Sequence, residues 1–310
     1  MDIVSQPAAA TLRAAWIDQA RTHPWTTFGL AVAALAMLLL SAASAWQVLT
    51  GAAEAPLRLA LLGGAAAFGA TALGAIPGIA LKGIDQRFED SMLGLAAGMM
   101  LAASSFSLIL PGLEAAEALT GSSSLGAGTV VMGMALGVLL MLGLDQFTPH
   151  EHAYGGPCGA GYERIGRLWL FVFAIALHNL PEGMAIGVSF SQGDLGVGLP
   201  LTIAIALQDL PEGLAVAMAL RAIGLSPWHA VLLAAATGLM EPLGALLGLG
   251  LSSGLAIAYP IGLGLAAGAM IFVVSHEVIP ETHRNGHQTP ATLGLMGGFA
   301  LMMVLDTTLA

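Results

Sequence analysis

Long apolar runs separated by short polar breaks dominate the chain. A bilayer-crossing helix needs roughly 20 mostly apolar residues, and nine such runs follow one another: Phe28 to Leu49, Leu57 to Leu81, Ser91 to Leu110, Leu125 to Leu144, Leu168 to Phe190, Val197 to Leu220, Trp228 to Leu251, Leu255 to Ser275 and Ala291 to Leu309. The pattern predicts an all-α integral membrane protein. Residues 1–27 read as a cytoplasmic N-terminal segment, 28–49 as one extra membrane helix, and 50–310 as a domain of eight.

Composition agrees: 57% of residues are hydrophobic and 9% charged, against roughly 25% charged in a soluble domain. The net charge of -10 matters less than where the acids lie. No basic patch suggests nucleic acid. Cys158, the sole cysteine, excludes an intrachain disulfide and a thiolate-only zinc cluster.

Orientation follows from the basic residues. With a cytoplasmic N-terminus, Arg13, Arg21, Lys82, Arg87, Arg164, Arg167, Arg221 and Arg284 lie inside and only Arg58 outside, as the positive-inside rule requires. The C-terminus is then periplasmic, and the localisation expected is a bacterial inner membrane. Trp25, Trp46, Trp169 and Trp228 flank spans at headgroup level. The first span has a rival reading as a signal peptide ending at Ala43-Ser44-Ala45, with an unusually long polar leader. Leu12, Trp16 and Ala20 form a short apolar stripe suited to an interfacial helix, which chance spacing in an Ala-rich leader also explains.

The eight core spans contain an inverted repeat. GLAAGMM from Gly94 to Met100 returns as GLAAGAM from Gly264 to Met270, on a span running the opposite way. Gly133, Gly137 and Asp145 return at the same mutual spacing as Gly294, Gly298 and Asp306. AIALHNLPEGMAIG from Ala174 is followed on the next span by AIALQDLPEGLAVA from Ala204. Ala70-Thr71 against Ala236-Thr237 is a fainter match between the remaining two spans. The arrangement is 3+2+3. Small residues that permit close packing account for some of the glycine likeness, but not for two LPEG motifs.

Those motifs lie about ten residues into their spans, roughly 15 Å deep at 1.5 Å per residue. Helical spacing puts His178, Asn179 and Glu182 on one face, and Gln208, Asp209 and Glu212 on another. Pro181 and Pro211 free the carbonyls of Leu177 and Leu207 and predict kinks facing a pathway. Glu241 adds a fourth midplane carboxylate. Four uncompensated charges would cost on the order of 10 kcal/mol, and no Lys or Arg sits at that depth. Protons or metal cations must balance them, and two divalent ions would suffice. Imidazole, carboxylate and amide oxygens without thiolate suit Zn²⁺, Fe²⁺, Mn²⁺ or Cd²⁺, with Glu182 and Glu212 as natural bridging ligands. Met100 is a candidate soft ligand or a packing residue.

HNLPEG from His178 and QDLPEG from Gln208 resemble the paired signatures of the ZIP (Zrt/Irt-like protein) metal transporters, in particular their bacterial GufA-like branch. The likeness covers the eight core spans. It implies uptake of zinc, often also cadmium or iron, into the cytoplasm by a homodimer through an elevator-like movement. Many relatives have histidine at both motif starts, so Gln208 is a departure that implies softer selectivity.

Aligning GLAAGMM with GLAAGAM sets Ser107 against Glu277, at opposite membrane faces. Ser107 and Glu114 are expected at an outer mouth, and His276, Glu277, Asp90 and Asp145 at a cytoplasmic one, where stepwise ligands would release an ion. Loop residues His150, Glu151, His152, Cys158, Glu281, His283 and His287 are further ligand candidates or plain solvated polarity. Two other functions compete. A membrane-embedded metallohydrolase would need a base and an activated water, and the chain lacks HExxH. A proton-coupled carrier of an organic solute would need an apolar pocket beside the polar faces.

Overall fold

The computed structural model describes residues 17, 19–50, 54–81, 83–148, 150–152, 156–158, 167–222, 224–252 and 255–309. Of the sequence features above, Leu12, Arg13, Trp16, Lys82 and Arg164 lie outside them. A helix α1, Pro24–Leu49, spans about 39 Å of axis at 1.5 Å per residue, and Ile17 and Ala20 lie in a short helical segment before it.

Eight helical stretches among the described residues are then long and apolar enough to cross a membrane. They comprise α2 (Ala55–Ala75), α3 (Gln86–Ala103) running into α4 (Leu110–Thr120), α5 (Ser123–Phe147), α6 (Arg167–Ser189), α7 (Leu195–Ala222), α8 (Pro227–Thr237) with α9 (Met240–Ser252), α10 (Ala258–Val273) running into α11 (Ile279–His283), and α12 (Gln288–Leu309). The chain is a multi-pass membrane protein. Between α5 and α6 a short antiparallel ladder, β1 (His150–His152) and β2 (Gly156–Cys158), pairs His150 with Cys158.

Two spans run further than their apolar limits suggest. The sequence places ends at Leu110 and Ser275, each shortly before a proline. Instead each helix widens into a π-helical turn, Ser104–Ile109 and Val274–Val278, and continues through Pro111 and Pro280. Leu110 N–H reaches Ser105 C=O and Ile279 N–H reaches Val274 C=O, five residues back. The wider turn carries the ladder up to a residue without an N–H. Ser104 and Val274, which open the two turns, are equivalent positions of the repeat.

Glycines set the helix pairing, and their partners obey the same repeat. Gly94 and Gly98 of α3 press against the carbonyls of Ala291 and Leu295 of α12. Gly264 and Gly268 of α10 press against those of Val130 and Met134 of α5. α6 and α9 meet through Gly183 on Glu241 and Gly244 on Leu180, and α7 and α2 through Gly213 on Thr71 and Gly74 on Leu210. In lipid, where no hydrophobic force drives helices together, such close backbone approach supplies the dispersion and Cα–H···O contacts that hold them. The register of α2 against α8–α9 therefore makes Thr71 the counterpart of Glu241, and not of Thr237 as the faint Ala70-Thr71 match implies. Small, similar side chains hide it in the sequence.

Candidate metal centre

α6 and α7 run through Pro181 and Pro211 without interruption. The span of α8 and α9, by contrast, breaks at Gly238 and Leu239, so Glu241 stands in the first turn of α9, just ahead of Pro242. A proline at a helix start lacks only an N–H that has no helical partner anyway. The partial positive charge of that N-terminus favours the carboxylate beside it.

These elements bring six motif residues and Glu241 into one buried cluster. Glu182, Gln208 and Glu241 have no measurable exposure, and Asn179, Asp209, His178 and Glu212 are all buried. Ligand oxygens of Glu182, Asp209 and Glu212 lie within 4.8 Å of one another. Gln208 Nε2 donates to Glu182 Oε1 at 2.6 Å, and Asn179 Nδ2 to Glu241 Oε1 at 3.3 Å. Thr71, a residue that sequence spacing does not bring to the site, donates from Oγ1 to the same Glu241 oxygen at 2.6 Å. His178 Nδ1 donates to Ala174 C=O at 2.7 Å, which leaves Nε2 as the open ring nitrogen.

The orphaned atoms define the chemistry. Among the described residues, Asn179 Oδ1, Glu182 Oε2, Gln208 Oε1, Asp209 Oδ2 and Glu241 Oε2 are buried without a hydrogen-bond partner. All five are oxygens that accept. Burying a polar atom without a partner costs about 1–3 kcal/mol, and no Lys or Arg occurs in α7 before Arg221, or in α9. A cation can satisfy all of these acceptors together, and an oxygen set with one imidazole suits a divalent transition ion.

The remaining candidates fall into three places. Met100 is buried in the main apolar core with its repeat counterpart Met270. Toward one face, Ser107 Oγ donates to Asp306, a residue that the repeat marks only as the counterpart of Asp145. Toward the other, Glu277 lies 3.5 Å from His178 Nδ1 with its side chain 8% exposed. It stands within the second π-helical turn. His276, half exposed, stacks on Phe272 with Nε2 4.0 Å from Asp145. Asp90 is fully buried and accepts from His287 Nδ1 at 2.8 Å, Asn285 Nδ2 at 3.1 Å and Gln86 Nε2 at 3.3 Å. His283 Nδ1 is bonded to Ile279 C=O. His150 and His152 lie on β1, and their side chains, like that of Cys158, are outside the description.

Inverted helical repeats enclosing a buried polar site at a helix break are the plan of secondary transporters. The family model described as ZIP zinc transporter matches residues 149–306. The chain is 63% identical over 308 residues to zinc transporter ZIPB of Bordetella bronchiseptica, covering 99% of this chain and 100% of that one. It is 43% identical to zinc transporter GufA of Myxococcus xanthus, over 77% of this chain and 94% of that one. Human zinc transporter ZIP11 is 31% identical, over 81% and 97%. The chain belongs to the ZIP family.

Proposed function

We propose that the protein carries divalent transition-metal ions, chiefly Zn²⁺, into the cytoplasm through a midplane site for two ions, by alternating access. Cd²⁺ is a second cargo, and Fe²⁺ and Mn²⁺ are the further candidates. The observation that most supports this reading is the set of five buried, unpartnered acceptor oxygens around four carboxylates. One ion would take His178 Nε2, Glu182, Gln208 and Glu212, and the other Asn179, Asp209 and Glu241, with Glu182 and Glu212 bridging. ZIPB, GufA and ZIP11 are each named as zinc transporters, which favours zinc over the other ions.

The protein so read is a carrier, in keeping with relatives that are each named as transporters. It sits in a bacterial inner membrane as a homodimer, N-terminus inside and C-terminus in the periplasm. Ser107 with Asp306 would meet the ion on the outer side. Glu277, His276 with Asp145, and Asp90 with His287 would take it stepwise toward the cytoplasm. Metal flux into proteoliposomes tests the reading: Zn²⁺ and Cd²⁺ enter, and an organic osmolyte does not. Absence of metal flux in correctly oriented protein would overturn it.

A further inference from the structure

The register set by the glycine contacts makes Thr71 and Glu241 equivalent positions of opposite chemistry, a hydroxyl on α2 and a carboxylate on α9. They also touch. Thr71 Oγ1 donates to Glu241 Oε1 at 2.6 Å, both residues being buried. Asn179, the counterpart of Asp209, donates to the same oxygen from α6 at 3.3 Å. Two neutral residues of one half of the repeat thus donate to a carboxylate of the other.

These donors have a directional consequence. A carboxylate presents about four lone-pair sites on two oxygens. With Oε1 held from α2 and from α6, the group cannot rotate without losing both bonds, and Oε2 stays buried with no partner among the described residues. Thr71 does have an alternative acceptor, the carbonyl of Ala67 four residues back, but at 3.3 Å. The shorter bond to a carboxylate is the charge-assisted and stronger one. Thr71 is 3% exposed, so water does not compete for either partner.

We infer that Thr71 is a positioning residue for the second metal ion: its hydroxyl fixes Glu241 so that the free carboxylate oxygen faces the site. The inference rests on the two-ion reading above. Outer hydrogen-bond partners of metal ligands typically change affinity by about 10- to 100-fold when removed, although a threonine carries no charge of its own.

The test uses the full chain in detergent, dialysed against a buffered Zn²⁺ series, with bound zinc counted by elemental mass spectrometry. Thr71→Val keeps the shape and removes the hydroxyl, and Thr71→Ser keeps the hydroxyl. The expected result is one ion bound by Thr71→Val with wild-type affinity and the second about tenfold weaker or more. Thr71→Ser restores the second ion, and Thr71→Val adds no further loss in a Glu241→Gln background. If Thr71→Val aggregates, Thr71→Ala is read in the same way. Two ions bound with wild-type affinity by a hydroxyl-free variant would overturn the inference. So would an equal loss in the Glu241→Gln background, which marks a packing effect. A wild type that binds a single ion would overturn the two-ion reading itself, and the inference with it.

Discussion

Gly183 ends the first LPEG motif, and its role is legible in what surrounds it. A Cβ at this position would lie 2.7 Å from both the Cα and the carbonyl carbon of Glu241, and nearer still to that residue's carbonyl oxygen. Non-bonded carbons settle at about 3.5–4.0 Å, so Gly183→Ala forces α6 and α9 apart by about 1 Å. The obstacle is backbone and cannot rotate aside. The displaced residue is Glu241, whose bonds from Thr71 and Asn179 tie it to α2 and α6. Overpacking of this kind costs about 1–3 kcal/mol in stability, and a misplacement of about 1 Å at a site can cost on the order of 100-fold in rate. Thermal unfolding and zinc flux in proteoliposomes, measured side by side, should show a lowered melting temperature with flux reduced at least tenfold. Gly297→Ala, which meets nothing within 4 Å, is the control and should behave as wild type. Unchanged flux in Gly183→Ala would refute the claim that α6 and α9 hold Glu241 by direct backbone contact.

Chelation should destabilise the protein, because withdrawing the ions strands four buried carboxylates. At zinc 100 times its dissociation constant the ion adds about 2.7 kcal/mol, so a zinc-dependent rise in melting temperature should appear in wild type and vanish in Glu182→Ala. Alanine variants of His150, His152, His283 and His287, titrated calorimetrically with zinc, should lose sites of weak affinity only. Unchanged stoichiometry and affinity would remove these residues from the exit route.

Much of this architecture is readable in the chain because membrane helices leave two kinds of trace. Length in apolar residues marks each span, and charge at depth marks the site, since a carboxylate such as Glu182 or Glu241 is too costly at the midplane to be incidental. The repeat is legible where distinctive residues recur, as at HNLPEG and QDLPEG. It is easily misregistered between α2 and α8–α9, where threonine stands opposite glutamate and only backbone contacts reveal the equivalence. The π-helical turns are invisible for a related reason. Sequence marks Pro111 and Pro280 as breakers, whereas the helix absorbs each by widening one turn ahead. Glu277, in the second of those turns, lies beside His178, a contact no spacing rule predicts.

The two LPEG glutamates carry the central claim, and zinc flux in proteoliposomes containing wild type, Glu182→Ala or Glu212→Ala tests it most directly. Transport should be abolished in each variant while the protein still reconstitutes. Wild-type rates in both would contradict the account.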